Sequence, residues 1–234
     1  LIRPNPQSMG LHPDGLDHEP KIENETSSGV SFIDALKSRT LWCLGIGSAC
    51  LWFSIQGVNS QITIFFEQEA GYTAQQAVIL FSTLFWFSFF GKFAFGALSD
   101  KIPKQRVFLI TSCILFIGSL LLFEINNGQL SFTQNRTQLT IFTILFGLGF
   151  GGSFSMIQLV ALEIFGKAYL GRILGLISLV DGMGAALGTK LLSELKISTG
   201  SYFVPFTLVS LVTLFAIINV FLIKPIQTKS QTTS

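Results

Sequence analysis

Six apolar runs, separated by short polar stretches, dominate the chain after residue 39. They cover residues 41–66, 76–98, 107–124, 138–164, 171–193 and 202–223. At about 1.5 Å of rise per residue, each run is long enough as a helix to cross a hydrocarbon core of roughly 30 Å. Backbone N–H and C=O groups cannot stay unpaired in lipid, so each run is expected to be a transmembrane helix. The pattern predicts an all-α membrane protein with a six-helix bundle over residues 40–226.

Both ends of the chain are polar. Residues 1–39 carry four of the seven prolines and show no apolar period that could bury a core. This composition is typical of an extended, mobile linker. Residues 227–234 are expected to form a short polar tail. The chain begins at Leu1 without the basic start, apolar core and cleavage site of a signal peptide, which suggests a fragment of a longer protein.

The composition also indicates a membrane protein. Of the 234 residues, 49% are hydrophobic and 12% are charged, whereas an ordinary soluble domain has about 25% charged residues. The net charge of +2 is small and the cations cluster in short loops, so nucleic acid binding is not expected. The three cysteines lie in apolar runs and the two histidines have no ligand at metal spacing. Neither a metal nor another cofactor is therefore predicted.

The distribution of lysine and arginine predicts the orientation. If residues 1–39 are cytoplasmic, the inner segments hold eleven cations, while the outer loops hold only Arg136 and Lys196, with Lys190 near a helix end. This asymmetry follows the positive-inside rule. We therefore predict a multi-pass protein of the plasma membrane, with both termini of this segment in the cytoplasm.

A short basic loop follows the second apolar run. Its spacing matches a motif of roughly G-x-L-x-D-R/K-x-G-R/K-x-x-R/K, with Pro103 in place of the second glycine. The matching residues are Gly96, Leu98, Ser99, Asp100, Lys101 and Arg106. This is the cytoplasmic loop motif of the major facilitator superfamily, and the chain resembles the C-terminal half of such a transporter. The resemblance implies six helices equivalent to helices seven to twelve, with residues 1–39 joining the two halves.

In the resembled family this loop acts as a gate, whose charged residues interact in one conformation and separate in another. The predicted gate residues are Gly96, Asp100, Lys101, Arg106, Glu163 and Arg172. The last two flank the next cytoplasmic loop and are expected to complete a charge network. The alternative is that the cations serve only as topology signals.

Two ionisable residues lie deep in the predicted helices. Lys92 stands eight residues before Asp100, and Asp181 stands nine residues after Arg172. They therefore lie about 12 Å and about 13.5 Å from the cytoplasmic helix ends. A charge at this depth costs at least about 2.5 to 3.5 kcal/mol, so each side chain needs a partner or a water-filled cavity.

Lys92 is the stronger candidate for a solute contact. Monocarboxylate and oxalate/formate carriers keep a cation, usually arginine, four residues before the glycine of the loop motif, as Lys92 stands before Gly96. The prolines of the N-terminal stretch also resemble the central linker of these carriers. The resemblance implies that Lys92 binds an organic anion or takes part in coupling. The alternatives are a structural pair with Asp181 and snorkelling towards the cytoplasm.

The candidate role of Asp181 rests on the physical argument alone, because the family resemblance implies no acid at this position. An acid at this depth is able to take up a proton and so couple transport to a proton gradient, because protonation removes the penalty for crossing the membrane. It serves equally well as a fixed counter-ion for Lys92. Both interpretations stay open at this point.

Polar residues form a stripe along the first apolar run. Its members stand at i, i+3, i+4 and i+7 of one helix face and are Gln56, Asn59, Ser60 and Thr63. The stripe is expected to line the solute cavity, and hydrogen bonding to neighbouring helices is the alternative. Ser88, one turn before Lys92, and Gln158 in the fourth run are further candidates.

Glycines are frequent in the fourth and fifth runs. Residues 147–152 formally match G-x-G-x-x-G, but no strand precedes them and no acidic residue follows at the required distance. Close helix packing is therefore predicted instead of nucleotide binding. The pairs four residues apart, whose spacing also favours close packing, are Gly171 with Gly175 and Gly184 with Gly188.

These features predict a secondary active transporter for a small solute. The resemblance implies an organic anion, a monocarboxylate or dicarboxylate, moved with or without a proton by alternating access. The expected partners are the lipid bilayer, the solute and an N-terminal six-helix half. No catalytic residue is predicted, because no nucleophile and base stand together. The alternatives are a non-transporting scaffold or sensor with the same fold and, with less support, a membrane-embedded enzyme.

Overall fold

We describe the protein from a computed structural model that places residues 29–126 and 129–223. In chain order, the elements are α1 (Phe32–Lys37), α2 (Arg39–Gln68), α3 (Ala74–Ser99), α4 (Lys104–Leu120), β1 (Phe123–Asn126), β2 (Gln129–Phe132), α5 (Arg136–Phe165), α6 (Leu170–Thr199) and α7 (Phe203–Phe221). Most of the expected linker and the expected tail at residues 227–234 lie outside the described residues.

Six long helices, α2 to α7, confirm the predicted all-α membrane bundle. Five of them are long and apolar enough to cross a membrane, by length and composition. The sixth, α4, has 17 residues. Its rise of about 26 Å is slightly less than a hydrocarbon core of roughly 30 Å. Each of the six helices corresponds to one apolar run of the sequence.

The end of the third apolar run differs from the prediction. The helix expected over residues 107–124 ends at Leu120, and β1 then pairs with β2 as an antiparallel hairpin. The side-chain amide of Gln138 holds the start of this hairpin by donating to the carbonyls of Leu121 and Phe123, both at 3.0 Å. A strand buries apolar residues as well as a helix does, so the apolar run alone does not show where the helix ends.

The last part of the predicted linker is also structured. Helix α1 lies within residues 29–39, with Ser31 capping its N-terminus and Ala35 fully buried. Just before it, the backbone N–H of Val30 donates to the carbonyl of Phe165 at 2.9 Å. The expectation of an extended segment is therefore wrong for this part. A helix of six residues has too few positions for an apolar period to be detected.

Helices α2 and α5 form the centre of the bundle. α2 packs mainly on α6 and α7, α5 packs on α3 and α4, and α4 also contacts α7. α2 and α5 bury 17 and 15 of their 30 residues, whereas α6 buries 5 of 30. Broad faces of α3 and α6 are therefore open to surroundings outside this chain. Side chains on these faces that are at least 60% exposed include Trp86, Phe93, Leu179 and Met183.

Glycines let the central helices approach their neighbours closely. A Cβ at Gly151 would collide with the carbonyl of Ser88 in α3, and a Cβ at Gly188 would collide with the backbone of α2. Similar collisions would occur at Gly147 and Gly184. Close packing of these glycines is therefore confirmed. The prediction of close packing is wrong for Gly171 and Gly175, where a Cβ would meet no described atom within 4 Å.

Candidate functional site

A cavity of about 410 Å³ lies between α2, α5 and α6. Most of its wall is apolar, and the aromatic side chains in it are Trp52 and Phe154. The polar side chains in the wall are Gln56, Gln158, Ser178 and Asp181. Three of these four are residues that the sequence singles out. The fold thus brings candidates from three separate apolar runs to one cavity.

Asp181 lines the cavity from α6 and is bound by α2. Its Oδ1 accepts a hydrogen bond from the hydroxyl of Ser48 at 2.5 Å. Ser48 is fully buried, and Asp181 is 8% exposed. The hydrogen bond depends on the close approach of the two helices at Gly184, where a Cβ would collide with Ala49. The glycine therefore places a carboxylate against a donor, which lowers the cost of burying a charged group.

Lys92 of α3 does not itself line the cavity, but it contacts Phe154 of the cavity wall. Its Nζ lies 4.6 Å from the centre of the Phe154 ring, within the range of a cation–π interaction. Lys92 has no carboxylate within 4.0 Å among the described residues, so the structural pair with Asp181 does not form. The reason is the helix arrangement, since α3 packs on α5 while α6 packs on α2. The ammonium thus lies beside the cavity without an anionic partner from the described chain.

The polar stripe of α2 lies only partly at the cavity. Gln56 lines the cavity, and the side-chain amide of Asn59 donates to Gln56 Oε1 at 3.3 Å. Asn59 Oδ1 is buried and has no hydrogen-bond partner among the described residues. The Ser60 hydroxyl donates to the carbonyl of Gly57 at 2.8 Å. Neither Ser60 nor Thr63 lines this cavity.

Ser88, predicted to share a face with Lys92, lies between two helices. It is 2% exposed, and its backbone carbonyl packs against Gly151 of α5. Its side chain does not line the cavity. The structure therefore gives Ser88 a position in helix packing.

The predicted gate residues lie where α3 gives way to α4 and where α5 gives way to α6. The charged members are all exposed: Asp100, Lys101, Arg106, Glu163 and Arg172. Within residues 29–126 and 129–223 none of the five forms an ion pair, so the expected charge network is not present inside this part of the chain. Ser99 supports the start of the loop by donating to the carbonyl of Gly96 at 2.6 Å. The gate remains a prediction about contacts beyond the described residues.

Sequence reasoning missed several residues of the site, among them Ser48, Trp52, Phe154 and Ser178. Ser48 and Trp52 stand eight and four residues before Gln56, so they continue its stripe towards the start of α2. Extending the search for that period would have found Ser48. Phe154 gave no such signal, because it is one of 24 phenylalanines in the chain. The rings of Trp52 and Phe154 pack edge to face, with their centroids 6.1 Å apart.

Comparison with protein families gives one match over most of the chain. The model described as Major Facilitator Superfamily matches residues 16–234. An uncharacterized MFS-type transporter, YfiU, of Bacillus subtilis (strain 168) is 33% identical over 107 residues, which are 46% of this chain and 19% of that protein. A putative metabolite transport protein of Haemophilus influenzae is 33% identical over 106 residues, covering 44% of this chain and 24% of that protein.

Solved structures with the same fold are also transporters. The POT family transporter PepTSo has a TM-score of 0.67 at 17% identity, covering 79% of this chain and 37% of that chain. Tetrameric PepTSo2 has a TM-score of 0.67 at 16% identity, covering 80% of this chain and 41% of that chain. At such identities the likeness shows the fold alone. The matches span about two fifths of these structures and less than a quarter of the curated relatives.

Proposed function

Because the chain belongs to the major facilitator superfamily, we propose that it is the C-terminal half of a secondary active transporter for a small organic anion. The family and the named relatives indicate a multi-pass membrane transporter. The proposal adds a solute, a monocarboxylate or dicarboxylate, and a mechanism, alternating access. It also adds a partner, an N-terminal six-helix half.

The observation that carries the proposal is the position of Lys92. Its ammonium lies over Phe154 beside the cavity and has no carboxylate within 4.0 Å among the described residues. A cation–π contact contributes about 0.5 to 2 kcal/mol, which is less than the cost of about 2.5 to 3.5 kcal/mol for a charge deep in the membrane. An anionic solute in the cavity supplies the missing partner.

Asp181 is the second charged group of the proposed site. Its hydrogen bond to Ser48, and the lack of an ion pair with Lys92 among the described residues, argue against a fixed counter-ion. In the proposal Asp181 takes up a proton while the anion binds at Lys92, so a site loaded with a monocarboxylate carries no net charge. The Ser48 hydroxyl both donates and accepts hydrogen bonds and therefore suits either protonation state.

A single half leaves one side of the solute uncovered. The cavity is lined by α2, α5 and α6, and broad faces of α3 and α6 are open. In alternating access two halves rock about a site between them. The N-terminal half would cover the parts of these faces that border the cavity, away from Lys190, and contact the gate residues Asp100, Lys101 and Arg106. The predicted orientation, with both termini in the cytoplasm and the plasma membrane as location, belongs to the same proposal.

The test is uptake of labelled lactate, formate and oxalate by the complete transporter in proteoliposomes, with and without an inward proton gradient. Lys92→Gln is expected to reduce uptake at least about tenfold, because a charge-assisted contact is lost. Lys92→Arg keeps the cation and is expected to retain uptake. Lys190→Gln is the control, because it removes a lysine whose side chain is 71% exposed on α6.

The outcomes separate the proposal from its alternatives. Normal uptake by a folded Lys92→Gln protein would contradict the anion site and leave only the superfamily assignment. The alternative, a non-transporting scaffold or sensor, predicts two results. The protein takes up none of the three anions, and its biological role does not change when Lys92 or Asp181 is neutralised.

A further inference from the structure

One charged side chain lines the cavity, and a second of opposite sign contacts a residue of its wall. The Asp181 carboxylate lines the cavity, and the Lys92 ammonium lies 4.6 Å from the ring centre of Phe154, another residue of the wall. Among the described residues neither charge has an opposite charge within 4.0 Å. We infer that the solute is a zwitterion with an apolar body, whose carboxylate binds Lys92 and whose ammonium binds Asp181. This inference rests on the transport function proposed above and changes one part of it, because the ammonium of the solute takes the place of the proton on Asp181.

Asp181 has capacity for an ammonium donor. Its side chain receives one hydrogen bond, from Ser48, among the described residues. A carboxylate offers about four lone-pair positions, and an ammonium carries three N–H donors. Gln56 and Gln158 line the same cavity and provide further amide oxygens as acceptors. The ammonium of a solute would therefore find a charged acceptor already held in place by Ser48.

The remaining wall favours an apolar body. The rings of Trp52 and Phe154 meet at 77°, and Leu174 and Ile177 also line the cavity. The volume of about 410 Å³ falls in the range of about 300 to 1,000 Å³ that is usual for pockets of drug-sized ligands. The cavity is thus larger and more apolar than two charged groups alone require. A solute with a ring or branched chain between or beside its charges uses this wall by burying apolar surface.

Charge balance favours a zwitterion over an anion. The empty site holds one cationic and one anionic side chain and is neutral overall. A bound monocarboxylate leaves one negative charge in excess unless a proton is taken up with it. A zwitterion pairs both side chains at once and keeps the loaded site neutral, which avoids the penalty for moving net charge across the membrane.

The test uses three probes with the same phenyl body: the anion phenylpropionate, the zwitterion phenylalanine and the cation phenethylamine. Labelled uptake of each is measured in proteoliposomes that contain the complete transporter, and each is then used as a competitor. Phenylalanine is expected to compete at least about tenfold more strongly than phenylpropionate, because its ammonium adds a charge-assisted hydrogen bond. Phenethylamine is expected to compete weakly, because it leaves Lys92 unpaired.

Three variants assign the two charges of the solute. Asp181→Asn keeps the shape of the side chain and an acceptor for Ser48 but removes the negative charge, so it is expected to abolish the preference for phenylalanine over phenylpropionate. Lys92→Gln is expected to weaken competition by phenylalanine and by phenylpropionate at least about tenfold. Lys190→Gln, on the exposed face of α6, is the matched control and is expected to change neither.

The outcomes distinguish this inference from the proposed function. Equal competition by phenylalanine and phenylpropionate in the wild type, or a preference that survives Asp181→Asn, would overturn the zwitterion and leave the anion site intact. Uptake of phenethylamine without either carboxylate would overturn both. Uptake of none of the three would overturn the inference, while lactate, formate and oxalate uptake still decides the proposed function.

Discussion

The two ends of the bundle differ in where their charged side chains find partners. At one end, here called the Lys196 end, Lys196 Nζ lies 3.2 Å from Glu69 Oε1 and 4.0 Å from the centre of the Tyr202 ring. The other end, here called the loop-motif end, comprises residues 96–106 and 163–172. No ion pair occurs there among the described residues. The chain thus pairs Lys196 with Glu69 at one end, whereas the charged residues of the loop-motif end form no ion pair among the described residues.

Aromatic packing strengthens this difference. Phe65, near the end of α2, is fully buried and contacts the rings of Phe132, Tyr202 and Phe206, with centroid distances of 5.1 to 5.6 Å. One cluster therefore joins α2, the hairpin and the start of α7. Each edge-to-face pair contributes about 0.5 to 1.5 kcal/mol beyond the burial of its area.

The contrast separates stability from function. Contacts within the chain hold the Lys196 end together, so changes there are expected to lower the free energy of unfolding. The exposed charges of the loop-motif end contribute little to that free energy, because water and salt screen the interactions of exposed charges strongly. Changes there are expected to act on transport through contacts outside this chain.

Glycine-to-alanine changes in α6 give the largest expected contrast. Gly188 lies towards the Lys196 end, where a Cβ would collide with the backbone of Phe53, whereas a Cβ at Gly175 would meet no described atom within 4 Å. Gly188→Ala is expected to lower the free energy of unfolding by about 2 to 3 kcal/mol, because packed backbone must move apart. Gly175→Ala is expected to raise it by up to about 1 kcal/mol, because alanine favours a helix more than glycine does. Denaturant titration in mild detergent measures both, and equal losses would remove the contrast.

Removing the Lys196 ammonium is expected to have the next largest effect. The side chains of Lys196 and Glu69 are 19% and 33% exposed, so their ion pair is partly shielded from water. Lys196→Met keeps much of the apolar stem but loses the ion pair and the contact with Tyr202, at an expected cost of about 1 to 2 kcal/mol. Lys190→Met, at an exposed ion pair on the same helix, is the control and is expected to change stability by less than about 0.5 kcal/mol. Equal effects of the two substitutions in thermal unfolding would mean that the Lys196 contacts are not stabilising.

The sequence was sufficient for the long helices, because a membrane span imposes a strong length and hydropathy requirement on each. It was insufficient where short-range features decide the structure. The hairpin after Leu120 and the six residues of α1 depend on local hydrogen bonds and caps, such as those of Gln138 and Ser31. The glycine spacing alone also could not tell Gly184 from Gly171, since the contact depends on which face of α6 meets α2.

The same limit applies to the site. Gln56, Gln158 and Asp181 were predictable as cavity residues, because polar groups inside apolar helices need a cavity or a partner. Depth along the helix suggested that Lys92 and Asp181 are able to pair, but depth does not specify which helices are neighbours. In the fold α3 packs on α5 and α6 packs on α2, so Lys92 contacts Phe154 and Asp181 contacts Ser48.

Asp100→Asn is expected to have the smallest effect on stability. Asp100 is the exposed C-cap residue of α3, where a negative charge opposes the helix dipole. Its neutralisation is therefore expected to leave the free energy of unfolding unchanged or to raise it by no more than about 0.5 kcal/mol. An acid kept at an unfavourable helix position fits a functional role, so the same substitution is expected to reduce uptake by the complete transporter severalfold, while Lys190→Gln leaves uptake unchanged. A loss of stability as large as that of Lys196→Met would show that Asp100 has a stabilising partner within the chain, and the difference between the two ends would disappear.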